Sequence, residues 1–183
     1  MTGIIAQNVG RTSGLIKAAS GGGGAWTKIK TLTASDDSDL SFVDGTDDAS
    51  LQFNLSVDTG SNYNVTKTTT AFGAAHKEDG TGGALSYDTG LDLAQGTGFQ
   101  GLNLGSSDND HAISGTLNIF NPSSTTFVKH FIAVSSTTNY DNINLVKYVA
   151  GYGNTTSAVD AVQFKMSADA IDAGDICLYG ISS

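Results

Sequence analysis

Leu51-Gln52-Phe53-Asn54-Leu55-Ser56-Val57 decides the fold. Apolar side chains stand at 51, 53, 55 and 57, and polar ones fill the positions between them. That period of two describes a pleated strand with one face buried and one face wet. Asp58-Thr59-Gly60-Ser61 follows with turn chemistry, and Tyr63 and Val65 resume the alternation, so the stretch predicts a hairpin.

Outward from this stretch the same pattern recurs. Ile113, Leu117 and Ile119 alternate with Ser114, Thr116 and Asn118, and Asn121-Pro122 ends that strand. Val162, Phe164 and Met166 alternate with Ala161, Gln163 and Lys165. Phe127-Val128-Lys129-His130-Phe131-Ile132-Ala133-Val134 is apolar on both faces, which predicts a central strand covered on each side. Ile176 to Ile181 forms a last strand, and 40–42, 85–87 and 145–148 are shorter candidates. The total is about eight or nine short strands, the signature of two antiparallel sheets packed as a sandwich, with a jelly roll as the first variant. Residues 73–83 and 94–112, rich in Gly, Asp and Ser, read as long loops.

Composition agrees. Glu78 is the only Glu among 18 acidic residues, and there are 23 Gly and one Pro, Pro122. Asp and Gly serve turns, whereas Glu serves helix interiors. A chain of 183 residues with 39% apolar side chains is long enough to bury a core without staples. No repeat of fixed period is present, which argues against a propeller or solenoid.

Charge excludes several partners. The net charge is −9, and the nine basic residues are Arg11 and eight scattered lysines. Neutralising phosphates takes clustered Lys or Arg, so neither nucleic acid nor an anionic membrane surface is expected as a partner. No window approaches eighteen apolar residues, and Met1–Gly10 lacks the basic start of a secretory signal. Without such a signal, the sequons at Asn54, Asn64 and Asn154 are read as chance in an Asn- and Thr-rich chain. The single Cys177 cannot form an intrachain disulfide, and its apolar setting, Ile176-Cys177-Leu178-Tyr179, predicts a buried, inert thiol.

The chemical motifs are weak. Gly96-Thr97-Gly98-Phe99-Gln100-Gly101 matches a dinucleotide fingerprint in letters, but no helix follows and no acid stands twenty positions on, so it reads as a glycine-rich loop. Asp36-Asp37-Ser38-Asp39, Asp44-Gly45-Thr46-Asp47-Asp48 and Asp108-Asn109-Asp110 could offer oxygens to calcium, yet the spacing and closing Glu of an EF-hand are missing, and solvated turns are the simpler reading. His76, His111 and His130 form no zinc spacing, and His130 is expected to pack in the central strand or at an interface. No Gly-x-Ser-x-Gly elbow exists. No enzyme activity, metal or cofactor is expected. Trp26, the only tryptophan, opens the first strand and is expected in the core.

Residues 1–25 read differently. Their apolar residues follow no sustained period, and Ser20-Gly21-Gly22-Gly23-Gly24 forms a hinge. They are taken as an N-terminal arm ahead of a sandwich domain at 26–183. Ile4, Ile5, Arg11, Leu15 and Ile16 are the candidate partner-binding residues, to be docked on a neighbouring subunit.

Whole segments carry a resemblance. The opening Ile4-Ile5-Ala6-Gln7-Asn8 and Gly10 to Ala18 resembles an N-terminal segment of phage virion proteins. Trp26 to Ala34, Asn121 to His130-Phe131, Gly151 to Ala158, Val162 to Ser167 and Leu178-Tyr179-Gly180-Ile181 are similar to virion proteins of bacteriophages of marine bacteria, the cyanophages and pelagiphages. The resemblance implies a structural protein of the particle surface, as a capsid decoration or cement protein, a head fibre or a tail protein. It implies virion proteins such as the major capsid protein or tail subunits as partners, and a homo-oligomer, first of all a trimer. The alternative it leaves open is a tail or tail-fibre subunit that binds a host surface glycan. It transfers no catalytic or ligand residue.

Overall fold

The alternation at Leu51–Ser56 does form a strand, one of ten: β1 (Trp26–Asp37), β2 (Leu51–Ser56), β3 (Lys67–Lys77), β4 (Ala84–Tyr87), β5 (Gln100–Gly101), β6 (Ile113–Ile119), β7 (Lys129–Thr138), β8 (Ile143–Gly153), β9 (Ala161–Met166) and β10 (Ile171–Ile181). The structure is a computed structural model that describes residues 26–37, 50–58, 60, 62–103, 112–139, 142–168 and 171–181, without the side chains of 34–37 and 172. There is no helix among the described residues. The chain divides into two units: residues 26–32 with 175–181, and a body over Thr33–Gly174.

The body holds two antiparallel sheets, of order β5-β2-β9 and β4-β3-β8-β7-β6. They pack on each other. Phe53 of β2 meets Phe131 of β7 edge to face, with ring centroids 5.1 Å apart at 87°, and both rings are buried. Leu51, Leu55 and Met166 complete the core from the smaller sheet, and Ala71, Ala133 and Val149 from the larger. Each large side chain here contributes about 1.5–3 kcal/mol of burial. The architecture is an all-β antiparallel sandwich. Its larger sheet joins a hairpin, β3–β4, to a meander, β6–β7–β8, and these orders stop short of the paired Greek keys of a jelly roll.

Several sequence expectations are corrected. Among the described residues of 58–65, none forms a strand paired with β2 as the expected hairpin. β2 pairs with β5 and β9, and the 62–66 segment stays irregular, touching β2 by a single backbone bond from Val65 N to Leu55 O. The competing partner β9 offers six registered positions, which outweighs a local return. Residues 73–77, taken as loop, belong to β3, where pairing with β8 along the whole strand overrides their small side chains. β7 is not covered on both faces: Phe131 and Ala133 are buried, but Ile132 is 45% exposed.

The inward face of the larger sheet carries three buried lysines. Lys67 and Lys129 are fully buried, on the two strands that flank Gly153 of β8. Lys129 Nζ donates to the Phe127 carbonyl at 2.7 Å. Lys147 on β8 is nearly buried and pairs with Asp88 at 2.8 Å. Gly73 stands opposite Lys147, and a Cβ there would lie 2.6 Å from the lysine Cδ. The glycine therefore makes the space the lysine stem occupies.

The glycine-rich loop has a structural task. Gly96 exchanges both backbone bonds with Lys67, at 2.7 and 2.9 Å. The fully buried Gln100 side chain accepts from Thr69 Oγ1 at 2.8 Å and donates to the carbonyls of Leu91 and Gly101. The loop is clamped to β3, as a glycine-rich connection rather than a nucleotide site.

Candidate interaction surfaces

Ile4, Ile5, Arg11, Leu15 and Ile16 lie outside the described residues, as do Asp39, Asp44, Asp47, Asp48, Asp108, Asp110 and His111. Among the described residues no group of three or more His, Cys, Asp or Glu could hold a metal ion. Two surfaces remain, one in each unit.

The first is a two-stranded ribbon of β1 and β10. Trp26 meets Tyr179 edge to face with centroids 6.5 Å apart. Ile29 reaches over Gly180, where a Cβ would come within 2.8 Å of its Cδ1. Thr31 Oγ1 lies 3.5 Å from Cys177 Sγ. These contacts hold the strands together but cover little. Trp26 is 64% exposed, and Ile29, Leu178, Tyr179 and Ile181 are also open. Both the core position expected for Trp26 and the buried thiol expected for Cys177 are corrected, since Cys177 is exposed. Apolar letters signalled burial, but Trp26 and Cys177 sit at strand positions that are exposed. Such a ribbon is marginal in water by itself.

The second surface is the outward face of the five-stranded sheet. Register aligns Tyr87, Phe72, Tyr148, Val134 and Thr116 in one row across it, and Thr70, Ala150, Ile132 and Asn118 in the next. Phe72 and Tyr148 stack at 5.0 Å with planes 10° apart. Leu85, which flanks them, is 76% exposed. At the rim Tyr87 donates its hydroxyl proton to Asp92 at 2.8 Å, which raises the phenol above its ordinary value. His130 is exposed on this face, 5.9 Å from Tyr152, at a surface rather than in the packed core.

No family model, curated protein or solved structure matches this chain. The two surfaces therefore carry the functional argument. Composition and periodicity gave no sign of the outward face as a site, because its residues alternate with core residues and look like ordinary strand filling. The signal available was the Phe127–Val134 run, apolar at every position but Lys129 and His130.

Beside Phe120, His130, Ile132 and Tyr152 the face dips into a shallow open depression of ≈ 370 Å³. Its lining is hydroxyl, aromatic and aliphatic.

Proposed function

We propose that the chain is a structural subunit of a bacteriophage particle, a capsid decoration, cement or head-fibre protein at the virion surface, attached through its N-terminal arm and working as a homo-oligomer, first of all a trimer. The observation that carries this reading is the ribbon. Residues 26–32 continue directly from the arm, and together with β10 they present Trp26, Ile29, Leu178 and Tyr179 uncovered. Uncovered aromatic and aliphatic side chains of this kind add nothing to a sandwich that already has its own core. They suit an anchor that completes itself on a neighbouring subunit. The resemblance of the opening and of several body segments to phage virion proteins supports the same reading. It is a binding role without catalysis, and it calls on no cofactor, nucleic acid or membrane.

A second reading is a tail or tail-fibre subunit that holds a host surface glycan. The depression lined by Phe120, His130 and Tyr152 favours it, since aromatic faces and hydroxyls suit sugar rings. Immunogold electron microscopy of intact particles separates the two. Label scattered over the head is expected for the decoration role, and label confined to the tail would overturn it.

A further inference from the structure

We infer that the outward face of the five-stranded sheet is the surface by which one copy of this chain packs against another. The inference rests on the homo-oligomer of the reading above, but not on where in a particle the protein sits.

Charge is the first argument. The chain carries 27 charged residues, 9 basic and 18 acidic, and a net charge of −9. Yet the outward positions of β3, β4, β6, β7 and β8 include no Asp, Glu, Lys or Arg. Three of the sheet's four lysines, Lys67, Lys129 and Lys147, are buried on the other face, and the fourth, Lys77, ends β3 on that same side of the strand, beside Gly82. Two strongly acidic copies repel wherever their carboxylates face each other. A face whose strand positions carry no formal charge, with Asp92 only at its Tyr87 rim, is a place where they meet with little of that cost. It also offers nothing to a polyanion or to a basic partner, which would need fixed opposite charge.

Size is the second argument. Strands lie ~4.8 Å apart and rise ~3.3 Å per residue, so strands of 4, 11, 11, 10 and 7 residues cover on the order of 700 Å². That is close to the ~800 Å² per partner of a standard stable interface. The middle of the face holds Phe72, Tyr148 and Ile132, and Tyr87 and Leu85 carry the cluster on to the β4 edge, with Thr, Ser, Asn and His on the remaining positions, an apolar core with a largely polar surround. Sheets pack face to face at ~10 Å through such side chains.

A sugar partner fits less well at this centre. Phe72 and Tyr148 spend ring faces on each other at 5.0 Å, so those faces are not free to stack on a pyranose.

The test is sedimentation velocity of the full chain at tens of micromolar, beside the variants Ile132→Asp, Tyr148→Asp and Leu178→Asp. Each variant's circular dichroism spectrum checks that it folds. The wild type is expected as an oligomer, Ile132→Asp and Tyr148→Asp as folded monomers, and Leu178→Asp, in the ribbon, as wild type. A wild type that sediments as a monomer overturns the inference. So does an oligomer that survives both charges on the face, or one that dissociates only with Leu178→Asp. Phe72→Ala serves where an aspartate variant fails to fold, and it is expected to weaken association at least tenfold.

Discussion

Lys67 Nζ lies 2.5 Å from Asn54 Oδ1, with both side chains fully out of solvent and on opposite sheets of the sandwich. The amine donates a second bond to the Val65 carbonyl at 2.7 Å. Asn54 in turn donates to the carbonyls of Tyr63 and Thr97, the latter at 3.0 Å, so one buried amide ties the irregular 62–66 segment and the glycine-rich loop to β2. Two acceptors suit the two N–H groups of a neutral amine, and burial pushes the lysine down to about 8 from its ordinary value of 10.5.

This lysine makes stability depend on alkaline pH. Between about 8 and 10.5 the unfolded chain binds a proton at Lys67 that the folded chain has released, so the folded state gains as pH rises through that window. Below about 8 both states are protonated and the contribution is flat. The gain across the window is on the order of 3 kcal/mol. Urea unfolding of the wild type and Lys67→Met at pH 7.5 and 10.5 checks it. The wild type is expected to gain on Lys67→Met at the higher pH, and parallel behaviour of the two proteins would refute the assignment.

Gly73 is the space for Lys147. A Cβ at 73 would stand 2.4 Å from the Val146 carbonyl and 2.6 Å from Lys147 Cδ, and displacing the lysine breaks its 2.8 Å pair with Asp88. Gly73→Val should cost about 2–4 kcal/mol. Gly98→Ala, where a Cβ meets nothing within 4 Å, serves as the control and should be near neutral. Thermal unfolding of both variants reads the difference.

The two faces of the larger sheet should respond differently to truncation. Phe53→Ala or Phe131→Ala empties a fully packed pair and should cost about 3–5 kcal/mol of folding stability. Phe72→Ala removes a ring that is nearly half exposed and should cost a monomer under about 1 kcal/mol, its effect falling on self-association instead. Denaturant midpoints at low protein concentration separate the two classes.

Cys177 reports on the ribbon. Its thiol is exposed in the isolated chain and should react with a maleimide without denaturant. If the ribbon seats on a neighbouring virion protein, labelling of intact particles should be at least tenfold slower than labelling of the purified chain. Equal rates would show that the ribbon stays open.

The legible part of this fold was the strand content. Period-two patterns at Leu51–Ser56, Ile113–Ile119 and Val162–Met166 coincide with strands, because each of these segments has a core to face. What stayed hidden was pairing. The sequence at 58–65 carries turn chemistry, yet β2 takes β9 from more than a hundred residues away, and no local rule weighs that competition. The outward face was hidden for a related reason: Phe72, Tyr148 and Leu85 are spread over three strands and become one patch only through the register. Trp26 and Cys177 misled because apolar letters in a strand are read as core, whereas β10 turns Ile171 into the core and leaves Cys177 and Tyr179 exposed, as β1 leaves Trp26. The proposed partner residues from Ile4 to Ile16 fall outside the described residues, and the ribbon that follows them now carries that argument.

The central claim is that this chain is built into a phage particle in many copies. Quantitative mass spectrometry of density-gradient-purified particles measures it, with the major capsid protein as the internal standard. The account predicts peptides of this chain in a fixed ratio of tens to hundreds of copies per particle that survives a high-salt wash. Particles that lack the chain, or that lose it wholly on washing, would contradict it.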